Sequence, residues 1–185
     1  MKRLLKFTLA AVFALAVTLP AFAGIKTEAE YIADLSSPKE KDVVAALQGI
    51  EKVYPTSVTG QTKIKSLLAD SRPTVKRKAA RTLGALGADV SSADLNNIVT
   101  LLSGPDKNTI IDGLKALRGL KAQSTVPKII PLLQNADKNV KRDACRTLAV
   151  LGDKSTVPSI QPLLQDADKG VVKDAGDAIA ALNAK

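Results

Sequence analysis

Histidine and tryptophan are absent from this sequence of 185 residues, and cysteine occurs once, at Cys145. Without histidine, neither a Ser-His-Asp nor a Cys-His triad can be assembled. No histidine and a single cysteine also leave the usual zinc, iron and copper sites without a ligand set. The chain has only two tyrosines and three phenylalanines, so it lacks the aromatic platforms on which single-stranded nucleic acid stacks. Only carboxylate, lysine or tyrosine chemistry remains possible, and we expect a protein that is not an enzyme and needs no metal or other cofactor.

The first 23 residues have the three parts of a secretory signal peptide. Basic residues precede an apolar run from Phe7 to Leu19, and Ala21-Phe22-Ala23 provides the small residues of a cleavage site. The alternative is a membrane anchor, but 13 apolar residues fall short of the roughly 20 needed to span a bilayer. We predict export by a Sec-type signal to the periplasm or the exterior, a mature domain of residues 24–185, and no transmembrane segment in that domain.

The mature chain is basic. Residues 24–185 contain 24 lysines and arginines and 18 acidic residues, a net charge of +6. An excess of this size favours an acidic protein or an anionic component of the cell envelope as partner. Nucleic acid is not expected, because the charge is less dense than in dedicated nucleic-acid binders and the protein is predicted to be exported.

Pairs of adjacent leucines recur at intervals of 34, 31 and 31 residues. The pairs are Leu67-Leu68, Leu101-Leu102, Leu132-Leu133 and Leu163-Leu164. Counted from the second leucine of each pair, mostly apolar residues return at the seventh, eleventh, fifteenth and eighteenth positions. In the third of these units they are Val140, Ala144, Leu148 and Leu151. A fixed period near 30 is typical of stacked units that complete one another's core.

Each unit is predicted to be a pair of helices. Pro127 at a helix start and Gly152 at a helix end bound one such pair, and apolar residues between them recur at spacings of three and four. Pro131 and Pro162 lie inside first helices and predict a bend there. A degenerate unit also precedes Leu67-Leu68, and no segment alternates with a period of two, so we predict an all-α fold of five pairs. The units cover roughly residues 26–56, 60–88, 92–122, 124–153 and 155–185.

The segments VPKIIPLLQNADKNVKRDACRTLAVLGDKSTV and VPSIQPLLQDADKGVVKDAGDAIAALNAK resemble HEAT repeats, in the short form also found in phycobilisome lyases. The resemblance implies a right-handed α-solenoid with the second helices on the concave side. It implies a protein-binding scaffold, although some relatives attach a bilin to a phycobiliprotein and others hydroxylate a lysine derivative with iron. The absence of histidine excludes the iron enzyme, and predicted export argues against the bilin lyase.

The second helices carry basic residues on the side turned away from the predicted core. At 100° per residue, the ninth, thirteenth and sixteenth positions point away from it. Seven of the twelve residues at these positions are basic, and we call them the basic row: Arg77, Arg81, Lys115, Arg118, Arg142, Arg146 and Lys173. The row is either an ordinary solvated face or a surface that binds carboxylates or phosphates.

Other residues at these helices bear on the same question. Gly84 and two alanines at the sixteenth position favour the binding surface, because they leave room for a partner. Asp112, Asp143 and Asp174 recur at the tenth position and are predicted to bond to neighbouring helices or cap turns rather than to act in acid–base chemistry. Cys145 is predicted to be a small core residue, with an intermolecular disulfide or reactive thiol as the alternative.

These observations predict a non-enzymatic interaction scaffold or adaptor of the cell envelope, which binds an acidic partner on a basic concave face. One alternative is a lyase-like or chaperone-like protein that holds a pigment or another small anion. The other is a structural protein that self-associates through its terminal units, with the alanine-rich last helix as the expected contact.

Overall fold

The structure, a computed structural model, describes residues 26–185, so the predicted signal peptide of residues 1–23 lies outside the described residues. Residues 26–185 form ten α-helices and no strand, which confirms the predicted all-α fold. Within this range, none of the helices combines the length and the apolar character that crossing a bilayer would require.

The ten helices form five successive pairs. The first helices are α1 (Glu28–Asp34), α3 (Val58–Ser66), α5 (Ser92–Val99), α7 (Val126–Ile129) and α9 (Val157–Ile160). The second helices are α2 (Glu40–Val53), α4 (Pro73–Leu86), α6 (Lys107–Gly119), α8 (Lys138–Leu151) and α10 (Lys169–Asn183). Helices α3, α5, α7 and α9 each continue into a short 3-10 helix that contains the leucine pair.

Two prolines shorten the first helices of the last two pairs. Helices α7 and α9 have only four residues each, and Pro131 and Pro162 follow within the 3-10 segments. Proline has no N–H to donate and its ring collides with the carbonyl four residues earlier, so an α-helix does not continue through it undistorted. Helices α3 and α5 change to the tighter 3-10 helix without such a proline, so Pro131 and Pro162 account only for the earlier change, after four residues instead of nine and eight.

The repeated apolar positions form one core that runs through the stack. Ala79, Ala144 and Ala175 at the eleventh position are fully buried. Leu47 of the degenerate first unit is only 1% exposed, so this unit shares the same core. Cys145 is also fully buried, and burial raises the pKa of its thiol to about 12. A thiol that is buried and protonated supports the core interpretation over the reactive one.

The two layers of the stack pack differently. Second helices pack directly on one another from α2 through α10, whereas successive first helices meet mainly through the 3-10 segments. The second helices therefore form one continuous layer, and its solvent-facing side carries the basic row.

Candidate interaction surface of the second helices

The structure brings the basic row onto one surface. All seven residues lie on α4, α6, α8 and α10, which pack side by side. Arg146 and Lys173 are exposed, and the other five are partly exposed.

Three aspartates pair with most of the arginines in this row, and we call the arrangement the aspartate ladder. An ion pair of 3.5 Å joins Arg77 Nε to Asp112 Oδ2, across α4 and α6. Arg118 lies 3.8 Å from Asp143 across α6 and α8. The last rung joins α8 to α10, where Arg142 Nε donates to Asp174 Oδ2 at 2.7 Å and Arg146 lies 3.0 Å from the same oxygen. The expectation that these aspartates bond to neighbouring helices is confirmed.

The rungs of the ladder differ in quality. Asp143 and Asp174 are 7% and 6% exposed, and a buried carboxylate is costly unless it is paired. Asp174 has two arginines, whereas Asp143 Oδ1 has no hydrogen-bond partner among the described residues. The ninth position of the preceding unit explains the difference: it is Ile111, where the units with stronger rungs have arginine. Among the three joints of the ladder, the one between α6 and α8 therefore has the weakest polar pairing.

Some of the positive charge remains free. Lys173 pairs with Asp177 of its own helix at 2.5 Å, but Arg81 and Lys115 have no carboxylate within 4.0 Å among residues 26–185. Seven cations thus face the four carboxylates Asp112, Asp143, Asp174 and Asp177, which leaves three positive charges in excess. A surface of this kind attracts anions from solution.

The prediction that Gly84 leaves room for an external partner is wrong. Gly84 is buried, and a Cβ atom placed on it would lie 2.5 Å from Ala116 Cα. A Cβ on Gly119 would lie 2.1 Å from the carbonyl oxygen of Gly84. The two glycines instead allow α4 and α6 to cross with their backbones in contact.

A set of aspartates at the starts of second helices was not identified from the sequence. Asp106, Asp137 and Asp168 each accept hydrogen bonds from two backbone N–H groups of the following turn, as N-caps do. Lys107 and Lys138 each pair with the aspartate of the next unit, at 3.4 and 2.9 Å. The Lys138 ammonium lowers the pKa of Asp168. Recurrence of aspartate at a 31-residue interval was the available signal.

A cavity of about 300 Å³ opens between α2 and α4, at the end of the surface nearest the N-terminus. Its lining includes three cations, Lys52, Lys78 and Arg81, and two carboxylates, Glu51 and Asp112. Val44 and Leu47 add apolar surface. Arg81 is the one residue of the basic row that reaches this cavity.

Comparison with known proteins bears on the fold. The family model of HEAT repeats matches residues 95–183, and none of the curated proteins compared with the sequence matches it. A chain in the complex of CpcE and CpcF of phycocyanin lyase from Nostoc sp. PCC7120 superposes with a TM-score of 0.73 at 21% identity. That match covers 86% of this chain, which spans 66% of the lyase chain.

Two engineered proteins are similar as well. One has a TM-score of 0.65 at 18% identity, covering 84% of this chain and 78% of its own. The other is a computationally designed armadillo repeat protein for modular peptide recognition, with a TM-score of 0.58 at 18% identity, covering 84% and 82%. Identities this low show the fold alone. The protein is an α-solenoid in which the HEAT-repeat model matches residues 95–183, and helices α1–α4 extend the same stack toward the N-terminus.

Proposed function

We propose that the protein is a non-enzymatic interaction scaffold of the cell envelope, and that the solvent-facing side of its second helices is a concave surface that binds an acidic segment of a partner protein. The observation that carries the proposal is the excess of cations on this surface, where Arg81 and Lys115 have no carboxylate within 4.0 Å among residues 26–185. Solenoids of stacked repeats present extended concave surfaces suited to such segments.

The aspartate ladder decides which cations are available to a partner. Arg77, Arg142 and Arg146 already hold neighbouring helices together, so a partner would have to compete with an internal carboxylate for them. Arg81 and Lys115 offer their charge without disturbing the stack. They lie at the same position of successive units, so an extended chain running along the surface would meet both.

The test compares two double variants that change the net charge equally. Arg81→Glu with Lys115→Glu reverses the unpaired cations of the surface. Lys128→Glu with Lys154→Glu reverses exposed lysines outside the second helices. The probe is a fluorescein-labelled peptide of alternating glutamate and serine, and its fluorescence anisotropy reports binding.

We expect the wild-type protein to bind the peptide at about 0.1 M salt and to lose most of this binding at about 1 M, where the Debye length falls to about 3 Å. The surface variant should bind at least about tenfold more weakly, since each charge-assisted contact contributes about 1.5–3 kcal/mol. The control variant should stay near wild type. Failure of the wild-type protein to bind, or an equal loss in both variants, would contradict the proposal.

Location in the envelope rests on the signal-like sequence of residues 1–23. Protein isolated from the envelope fraction should begin at Gly24, which the mass of the intact chain determines. An uncleaved chain in the cytoplasm would contradict this part of the proposal.

The two alternatives stay predictions. A pigment or small-anion holder would purify with visible absorbance or added mass, and a self-associating protein would show light scattering that rises with concentration beyond that of a monomer. Ala180 and Ala181 of α10 are exposed, which makes this helix the place to mutate in the second case.

A further inference from the structure

We infer that the cavity between α2 and α4 takes up an acidic side chain of the partner. The later joints between second helices each have an aspartate of the aspartate ladder, and this joint has none. The inference rests on the proposed function, because it names the chemical group of the acidic partner that is bound and the place where it binds.

The ladder defines what is missing at this joint. At the joints of α4 with α6, α6 with α8 and α8 with α10, the later helix supplies an aspartate from its tenth position. The tenth position of α4 is Lys78. The tenth position of α4 is therefore positive where that of α6, α8 and α10 is negative. As a result, no aspartate of the ladder lies between α2 and α4.

The cavity has cations that form no ion pair. Lys52, Lys78 and Arg81 line it, and none has a carboxylate within 4.0 Å among residues 26–185. Lys78 and Arg81 are three residues apart and therefore lie on the same face of α4. Their charges repel each other, and an incoming carboxylate would relieve the repulsion.

The two acids that line the cavity are already engaged. Glu51 accepts a hydrogen bond from the Thr82 hydroxyl at 3.3 Å. Asp112 pairs with Arg77 at 3.5 Å. With the Asp112–Arg77 pair counted as neutral, the three cations face the one remaining carboxylate of Glu51, and this excess of two positive charges favours an anion.

The joint has a polar connection that does not involve the cations of the cavity. Arg72, in the turn before α4, donates to the carbonyl oxygens of Ser37 and Pro38 at 3.1 and 3.3 Å, which ties the first two units together. The same guanidinium binds Asp70 in two places and lowers the pKa of that carboxyl. Lys78 and Arg81 remain available for a ligand.

The shape of the joint also favours a ligand here over its neighbour. Between α4 and α6 the backbones touch at Gly84, and no side chain can enter. Between α2 and α4, Val44 and Leu47 form an apolar floor beside the cations. An acidic side chain fits this combination, with its methylene groups on the floor and its carboxylate toward Lys78 and Arg81.

The experiment replaces Lys78 by aspartate, the residue that α6, α8 and α10 have at the same position. Lys78→Asp places an internal carboxylate beside Arg81 and should fill the charge demand of the cavity. Lys76→Asp is the matched control, because it makes the same charge change on the same helix at a residue that does not line the cavity. The glutamate–serine peptide is the probe, and thermal unfolding checks the fold.

We expect Lys78→Asp to weaken peptide binding by about tenfold or more, the loss of one charge-assisted contact, and Lys76→Asp by less than about threefold. The thermal midpoint of Lys78→Asp should equal or exceed that of wild type, since it gains a pair with Arg81. If this variant does not fold, Lys78→Gln gives the same comparison with Lys76→Gln.

Equal losses of peptide binding in Lys78→Asp and Lys76→Asp would overturn the cavity assignment. The proposed function is tested separately, by the variant Arg81→Glu with Lys115→Glu, and would not be overturned by that result. Absence of peptide binding by the wild-type protein would overturn both. Vesicles of phosphatidylglycerol are the second probe: if they lose binding in Lys78→Asp and the peptide does not, the occupant is a lipid headgroup and the peptide assignment is wrong.

Discussion

The rung at Asp174 provides a direct test of whether the ladder stabilises the stack. Replacing Asp174 by Asn keeps the shape of the side chain and removes its charge. The change leaves the guanidinium groups of Arg142 and Arg146 without the carboxylate that lies 2.7 and 3.0 Å away. We expect Asp174→Asn to loosen α10 from α8.

The magnitude follows from burial and geometry. Asp174 is 6% exposed, and a hydrogen bond to a buried charged group contributes about 1.5–3 kcal/mol. Arg142 and Arg146 are 33% and 46% exposed, so water takes over part of what they lose. We expect the free energy of unfolding to fall by about 2–3 kcal/mol, between one and two full charge-assisted bonds.

The same helix offers a matched control. Asp177 pairs with Lys173, but the two side chains are 65% and 72% exposed. Asp177→Asn makes the same chemical change at a solvent-exposed position. We expect it to lower the free energy of unfolding by about 0.5 kcal/mol or less.

Hydrogen exchange is the assay suited to a repeat protein. Stability in a solenoid is approximately a sum over units and their interfaces, and the terminal unit has only one interface. The loss should therefore concentrate in α10, whose amides should exchange about thirtyfold faster or more in Asp174→Asn, at tenfold per 1.4 kcal/mol. Equal exchange in the two variants would show that the rung contributes no more than a surface pair.

Further predictions concern packing and titration. Gly84→Ala should destabilise the protein by about 1–3 kcal/mol because its Cβ would collide with the backbone of α6. The Cβ of Gly176→Ala would meet nothing closer than 3.9 Å, so this change should stabilise the protein by about 0.5–1 kcal/mol. Urea unfolding measures both effects. The folded chain retains the Cys145 proton that the unfolded chain loses above pH 9.0, because burial raises the pKa of this thiol to about 12. The free energy of unfolding should thus fall as the pH rises from 9.0 toward 12, by up to about 1.4 kcal/mol per pH unit, and Cys145→Ala should lack this component. The native thiol should also resist Ellman's reagent until the chain unfolds, and rapid reaction without unfolding would contradict its burial.

The fold was predictable because the signal is repeated. A single apolar stripe leaves the length and partner of a helix open, but the same stripe at intervals of 31 residues requires a stack. The buried positions, including Cys145, followed from that period. The early ends of α7 and α9 follow from Pro131 and Pro162, since proline limits an α-helix through its own geometry, whereas the 3-10 segments that also follow α3 and α5 were not predicted.

The surface was less predictable because a helical wheel considers one helix at a time. The wheel gives the direction of each side chain relative to the core of its own unit. In a solenoid, however, the second helix of one unit packs between the second helices of the units before and after it. Gly84 points away from its own unit and was therefore assigned to solvent, yet it faces Ala116 of the next unit. The cavity between α2 and α4 was not predictable at all, because it depends on the spacing of two helices.

Charge at one position therefore has two roles along the same stack. An aspartate at the tenth position of α6, α8 or α10 neutralises the arginines of the helix before it and joins the two units. Lys78 takes this position in α4, and at that joint a cavity lined by Lys52, Lys78 and Arg81 replaces the ion pair of the ladder. The basic row is consequently a joint between units over most of its length, and Arg81 beside this cavity is the place where we propose that a partner's carboxylate binds.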